Sequence, residues 1–227
     1  MVRRTKEEAL ETRNRILDTA MEVFARKGVS RTSLDDIAQA AGVTRGAIYW
    51  HFKNKAALFD AMMERVQLPI EEASARARAR ATEDPLEDVR DCTLAVLGQV
   101  TADPQCRCVL DIACNKVEYV EETESLRERY LAGRAKYLAQ MERGLRAAAK
   151  RGLLAPQVDP RLAAVGLHAL VDGLIRNWLL DPKYVPLPKA ARPLIEGYLN
   201  GLRAPGAKPA RRTRGRAAVS RKAAVRA

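Results

Sequence analysis

Residues 41–59, "AGVTRGAIYWHFKNKAALF", crowd small residues, a bare arginine, aromatics, a histidine and two lysines around Gly46, in the middle of a short helix. Thr44 stands where it can cap a short helix in which Ala47, Ile48 and Phe52 point inward. Arg45, Gly46, Tyr49 and Trp50 are left on the outward face. Asn54 caps the next helix, where Leu58, Phe59, Met62 and Val66 recur periodically until Pro69, which is expected to perturb it. Upstream, Ile16, Leu17, Ala20, Val23 and Phe24 make one apolar face of a first helix that Gly28 ends. Ser33 and Asp36 form a capping-box-like start for a second helix carrying Leu34, Ile37, Ala38 and Ala41, stopped by Gly42. Two short helices around "GVT", with a longer one packed behind, have the pattern of a helix-turn-helix. Its core would be Leu34, Ile37, Ala38, Val43, Ile48 and Phe52.

The outward residues have the chemistry for DNA. A recognition helix presents its N-terminal residues to base edges in the major groove. Arg45 suits bidentate contact with a guanine, worth about 1–3 kcal/mol of discrimination. Thr44 and Tyr49 can reach phosphates or a thymine methyl, and Gly46 has no side chain to hold the helix away. Lys55 and the amides after Asn54 lie at a helix N-terminus, which favours phosphate. For Trp50 the reading stays open between outward contact and packing of the third helix on the fourth. His51 is either a phosphate contact or a packing residue.

Charge agrees with this placement. The 227 residues carry a net charge of +12, with +4 in residues 1–55, zero in 56–203 and +8 in 204–227. Two basic ends flank a neutral middle, so a polyanion partner belongs at the ends. The start "MVRRTKEEALETR" has no apolar core of a signal peptide, and no run approaches the length of a membrane span. A cytoplasmic protein with reduced thiols is expected. Cys106-x-Cys108 followed by Cys114 lacks the spacing and extra ligands of a zinc site, so the cysteines, Cys92 included, read as structural. Oxidation sensing stays open for Cys106 and Cys108 if they are exposed. No motif asks for a metal or a cofactor.

Downstream the pattern remains helical. Segments run from Pro85 to Val100, from about Gln105 to Tyr119, along Leu126–Leu145 to Gly152, from Arg161 to Leu180, and through Leu194–Leu202. On the Arg161–Leu180 helix, His168, Asp172 and Arg176 form one polar stripe at i, i+4 and i+8, beside Val171 and Ile175. Such a stripe can orient a mostly apolar ligand in a cavity, or it can be an internal Asp172–Arg176 pair or part of a subunit interface. Leu110 and Cys114 are candidate opposing walls, with Met63, Val66, Val96 and Met141 from other helices; thioethers suit a site that adapts to varied shapes. Leu167, Leu170, Leu174, Leu194, Tyr198 and Leu202 make the last two helices apolar enough for a dimer interface.

"TRNRILDTAMEVFARKGVSRTSLDDIAQAAGVTRGAIYWHFKNKAALF" resembles the N-terminal domain of the tetracycline-repressor (TetR) family. "TKEEALETR" and "GLIRNWLLDP" extend the likeness to its acriflavine-resistance repressor branch, to about residue 203. The resemblance implies an all-α protein, with a three-helix helix-turn-helix domain (1–55) and a C-terminal helical bundle (56–203) for ligand binding and dimerisation. It implies a homodimer on a pseudo-palindromic double-stranded operator, released by small hydrophobic or drug-like compounds, and control of a multidrug efflux pump. Family members contact DNA at the positions that are Thr32, Ser33, Thr44, Arg45, Gly46, Tyr49, His51 and Lys55 here, and related multidrug repressors line their pockets with the helix that carries His168, Asp172 and Arg176. Residues 204–227 depart from the family pattern. Their composition cannot support a fold alone, and non-specific phosphate attraction is the expected role. A non-specific architectural DNA-binding protein is the alternative supported by that tail, although it has no need of a presented Arg45. No residue set points to an enzyme.

Overall fold

Helices α1 (Lys6–Lys27), α2 (Leu34–Ala40), α3 (Arg45–His51), α4 (Lys55–Arg78), α5 (Pro85–Ala102), α6 (Pro104–Asn115), α7 (Glu124–Lys150), α8 (Pro160–Leu180) and α9 (Leu187–Gly201) build the protein in the computed structural model. The residues described are 6–80, 82–118 and 124–207. Among them the only extended pairing is an isolated antiparallel bridge between Leu154 and Arg203. α6 stops at Asn115, short of the expected end; Tyr119 lies outside the described residues, as do residues 208–227.

The first four helices start and stop where their capping residues dictate. Ser33 and Asp36 close a complete capping box on α2, Thr44 accepts the Ala47 amide at the head of α3, and Asn54 accepts that of Ala57 at the head of α4. Gly28 and Gly42 follow α1 and α2 in the left-handed conformation (φ +82° and +63°), which costs a side chain-bearing residue more than glycine. The small core is as expected: Phe24, Ile37 and Ile48 have no exposed surface, and Phe52 is also buried. Burying each such side chain stabilises the fold by roughly 1.5–3 kcal/mol.

Pro69 does not break α4. The proline removes one amide donor, yet the helix runs 24 residues because Val66 and Ile70, on either side of it, are locked inside the core. α4 therefore crosses the domain boundary expected at residues 55/56 as one continuous rod. Arg65 fastens it to α1, with Asp18 at 2.5 Å and the Asn14 side chain at 2.8 Å.

Contacts along the rods fix their directions. Asp60 and Ser74 of α4 meet Arg129 and Gln140 of α7 in the same order, so these two helices are parallel. Cys92 lies against Ser74, which sends α5 back the other way. Tyr130 near the start of α7 reaches Asp172 in the second half of α8, and Tyr198 late in α9 donates to the Ala163 carbonyl early in α8, so α7, α8 and α9 alternate in direction. Asp103 ends α5 and caps α6 with the same residue.

The last helix pair corrects one expectation. Leu167 and Leu174 are buried within the protomer and Leu170 is half-buried, because α8 carries apolar residues on more than one face. Of the expected set Leu194 of α9 is exposed, and on α8 the outward apolar residues are instead Leu162, Val165 and Leu180. α8 and α9 approach closely at Gly166, where an added Cβ would overlap the Tyr198 hydroxyl.

Gly166→Ala should lower stability by about 1 kcal/mol, because the Tyr198 side chain must move aside and its hydroxyl lose the Ala163 carbonyl; a denaturant melt reads this, and an unchanged midpoint would contradict the close packing. Asp36 is held down to about 2, chiefly by hydrogen bonds from Ser33 and then by Lys27. A depressed carboxyl stabilises the fold above its unfolded value near 3.9 and loses that contribution as pH falls towards 2. In Ser33→Ala the Asp36 carboxyl should titrate closer to 3.9 by NMR; an unmoved midpoint would remove Ser33 as the cause.

Candidate DNA interface and effector cavities

The caps on α2 and α3 aim one set of side chains outward. Arg45 opens α3 with its side chain 75% exposed, 3.4 Å from Asp35 and stacked 5.6 Å from the Tyr49 ring centre. Tyr49 is exposed as well, so α3 displays a guanidinium and a phenol side by side. A Cβ at Gly46 would meet nothing within 4 Å, so packing inside the protein does not demand glycine there. Thr44 and Ser33 are exposed at the helix starts, their hydroxyls engaged as caps. A shallow depression of about 500 Å³ lies beside them, lined by residues including Arg31, Ser33, Tyr49, Lys53 and Lys55.

Two residues of the expected DNA set serve the protein's own structure. Thr32 is buried, and its hydroxyl donates to the Gly28 carbonyl at 2.7 Å, so its side chain holds the α1–α2 loop and does not face outward. Lys55 gives its ammonium to the carbonyls of Val29 (2.9 Å) and Ser30 (3.2 Å), pinning the head of α4 to that loop. His51 is half-buried, with Trp50 edge-on to its ring at 4.5 Å. Trp50 itself is 73% exposed, which rules out the reading that it packs α3 against α4. An indole so placed beside Tyr49 adds an apolar surface to the outward face, and outward position on the helical wheel was its signal in the sequence. Arg31 and Lys53, also exposed, lacked any such signal because they lie in connecting segments.

The bundle contains two cavities of about 370 Å³ each. The first lies among α4, α5, α7 and α8, where Val96, Met141 and Val171 meet Cys92, Thr93, Ser74 and Gln140. The second lies among α4, α6, α7 and α8 and takes Met63, Val66, Leu110 and His168, with Tyr130 and charged groups at its margin. Tyr137 belongs to both walls, and burial pushes its hydroxyl up to about 12, so it is a neutral hydrogen-bonding group there. Burial lowers the pKa of His168 despite the pull of Asp172, which favours the neutral ring. Asp60 is raised by burial against the opposing effect of Arg129. Tyr137 and Gln140 were missed in the sequence, since one residue does not reveal that two cavities share it.

Four expected pocket residues line neither cavity. Asp172 and Arg176 pair with each other at 2.8 Å; Asp172 also accepts from Tyr130 at 3.3 Å, and Arg176 donates to the Cys114 carbonyl at 3.3 Å. This chain ties α7, α8 and α6 together, and it is the internal pair that i, i+4 spacing allows. Ile175 packs on the core beside it. Cys106 is fully buried and its thiol pushed up to about 12, while burial also raises Cys108, so neither is a ready thiolate for oxidation.

The two regions are physically joined. The Val29 amide donates to the Lys116 carbonyl just past α6 (3.0 Å), and the Val29 carbonyl receives Lys55. One residue, through the peptide groups on either side of it, thus links the end of α6, which walls the second cavity, to the head of α4.

Comparison with known proteins agrees with this geometry. Residues 16–62 match the bacterial regulatory proteins of the tetR family, and residues 84–204 the C-terminal region of MAATS-type transcriptional repressors. The chain is 38% identical over 203 residues to the HTH-type transcriptional regulator TtgR of Pseudomonas putida, covering 89% of this chain and 97% of that one. It is 37% identical to the regulator AcrR of Shigella flexneri, covering 88% and 94%. Among solved structures it is similar to NalD, the secondary repressor of the MexAB-OprM multidrug efflux pump in Pseudomonas aeruginosa (TM-score 0.79, 39% identity, 87% and 98% covered). It is also similar to the SmeT–triclosan complex (TM-score 0.75, 33% identity, 88% and 95% covered). With an outward-facing capped recognition helix, a cavity-bearing helical bundle and relatives matched over nearly their whole length, this chain belongs to the TetR family of bacterial transcriptional regulators.

Proposed function

We infer that the protein represses transcription as a homodimer on a pseudo-palindromic operator and is released when a mostly apolar compound enters the bundle. The observation that carries the DNA reading is Arg45, exposed at the head of α3 next to a glycine that internal packing does not require. Ser33, Thr44, Tyr49 and His51 are assigned to the same interface; Thr32 and Lys55 contribute by fixing the loop and the head of α4 behind it. Trp50 joins the set. Exposed Leu162, Val165, Leu180 and Leu194 favour pairing of α8 and α9 with those of a second copy. Such a dimer sets its recognition helices about 34–36 Å apart, or a small multiple of that, to match half-sites on one face of DNA. No helix among the described residues is long and apolar enough to cross a membrane, which fits a cytoplasmic regulator.

The cavities suit neutral or weakly polar compounds, because apolar walls dominate and Tyr137, Gln140 and His168 supply a few orienting groups. Similarity to NalD favours a multidrug efflux gene as the target. Occupancy shifts the DNA equilibrium only as far as the compound binds the released state more tightly.

Titration onto a labelled fragment from upstream of the protein's own gene, against a scrambled fragment, should show a preference of about a thousand-fold or more. Equal affinity for both would point to the architectural alternative. Arg45→Ala should cost about 1–3 kcal/mol on the operator and nothing comparable on the scrambled fragment; an equal loss on both would reduce Arg45 to a phosphate contact. Val171→Phe fills the first cavity and should abolish release by triclosan, the compound held by SmeT, while operator affinity persists. If release persists undiminished, the first cavity is not where that compound acts.

A further inference from the structure

We propose that the Tyr137 ring divides one long chamber of the bundle into two, and so limits the effector to a compound small enough for a single cavity. The proposal rests on effector binding by the bundle and deepens it, naming the size class accepted and the residue that sets it. Among the described residues, Tyr137 alone lines both cavities of about 370 Å³.

The cavities follow one another along the same two helices. On α4, residues between Phe59 and Ile70 line the second cavity, while Ser74 and Arg78 line the first. On α7, residues up to Lys136 line the second and those from Gln140 onward the first. These helices are parallel, so the order is the same on both walls and Tyr137 falls at the junction. Gly133 and Met141, one turn to either side of it, are about 12 Å apart along α7 at 1.5 Å per residue. The ring stands across this junction. A helical side chain leans towards the N-terminus, onto the residue four positions earlier. That residue is Gly133, and nothing lies within 4 Å of where its Cβ would be, so the ring does not rest there. It reaches towards α4 and α6: after burial, Glu71 and then Cys106, which is fully enclosed, push its hydroxyl upward.

Volume turns this partition into a selection. Pockets that enclose drug-sized molecules measure about 300–1,000 Å³. Each cavity alone lies near the bottom of that range, whereas the two joined would lie well inside it. A compound of one or two rings can be enclosed on one side of Tyr137. A longer one must displace the ring or leave part of itself in solvent. The ring is half-buried and packed on the core, so displacing it gives up apolar burial that the longer compound has to offset. Wall chemistry does not separate the two sides. Both are mostly apolar and both carry charged groups, Arg78 and Arg143 in the first and Asp60 and Arg129 in the second. For a neutral apolar chain, length is what decides.

The test titrates the full-length protein, without DNA, with 4-n-alkylphenols from butyl to decyl in a calorimeter. Each buried methylene raises affinity about four-fold. Wild-type affinity should therefore climb along the series and level off at the chain length that fills one cavity. Tyr137→Ala joins the cavities and should carry the climb on by two or more methylenes, a gain of about ten-fold or more for the decyl compound. Tyr137→Leu, which keeps apolar packing but is shorter than the ring, gives the same comparison should the alanine variant fail to fold. Tyr137→Phe keeps the ring and should level off where the wild type does. A wild-type climb without a break would overturn the proposal. So would a break at the wild-type length in the alanine or leucine variant, or an extended climb in Tyr137→Phe. Failure of the wild type to bind any member would count against effector binding itself, and the partition would fall with it. Because no DNA is present, failure to hold an operator would count against the DNA reading alone.

Discussion

A single helix that belongs to two domains is the constraint on which the rest of the structure depends. α4 begins as the support of the recognition unit, with Lys55 bonded to the loop behind α2, and continues without a break as a wall of both cavities. A proline in its middle would normally allow it to bend or stop. Here Val66 and Ile70 are held inside the core on either side, and Arg65 fastens the rod to Asp18 and Asn14 of α1. α4 is thus one continuous element shared by the cavity walls and the support of the recognition unit, which is what a mechanical link between them requires. The Val29 backbone, whose amide bonds Lys116 and whose carbonyl bonds Lys55, gives α6 a second connection to the same place.

Polar groups divide between fastening the structure and meeting partners. Asp172, Arg176 and Tyr130 stitch α6, α7 and α8 together, and Arg203 with Asp84 and Glu87 closes the far end. The two cavities keep mostly apolar walls, with Tyr137, Gln140 and His168 among their neutral polar groups and Arg78, Asp60 and Arg129 among their charged ones. On α3 an exposed face carries Arg45 stacked on Tyr49, and Trp50 stands clear of the core. Charge is thus concentrated where solvent or phosphate can answer it and paired where it is enclosed.

The helix-turn-helix was fully legible in the sequence because its determinants are local. Ser33, Thr44 and Asn54 act within three residues of themselves, Gly28 and Gly42 stop helices by their own conformations, and Ile48 and Phe52 declare an inward face by spacing. The cavities were half legible. Val96, Leu110, Met141, His168 and Val171 line them as periodicity suggested, but spacing on one helix cannot say whether Asp172 faces a cavity or pairs with Arg176 four residues on. Nor can it show that Leu167 is enclosed while Leu162 is not, since α8 is apolar on several sides. Thr32 and Lys55 were expected at the DNA from the family resemblance, whereas their hydrogen bonds to Gly28, Val29 and Ser30 depend on how a loop folds back, which no local pattern encodes.

The most direct test of α4 as the coupling element is the distance between the two recognition units of a dimer. Spin labels introduced as unnatural amino acids at Gln39, on the exposed side of α2, report it by double electron–electron resonance with and without triclosan. The account predicts a narrow distribution on operator DNA and a displaced one when the compound is bound and operator affinity has fallen. An identical distribution in both states, with affinity nonetheless lost, would mean that release does not pass through the rod.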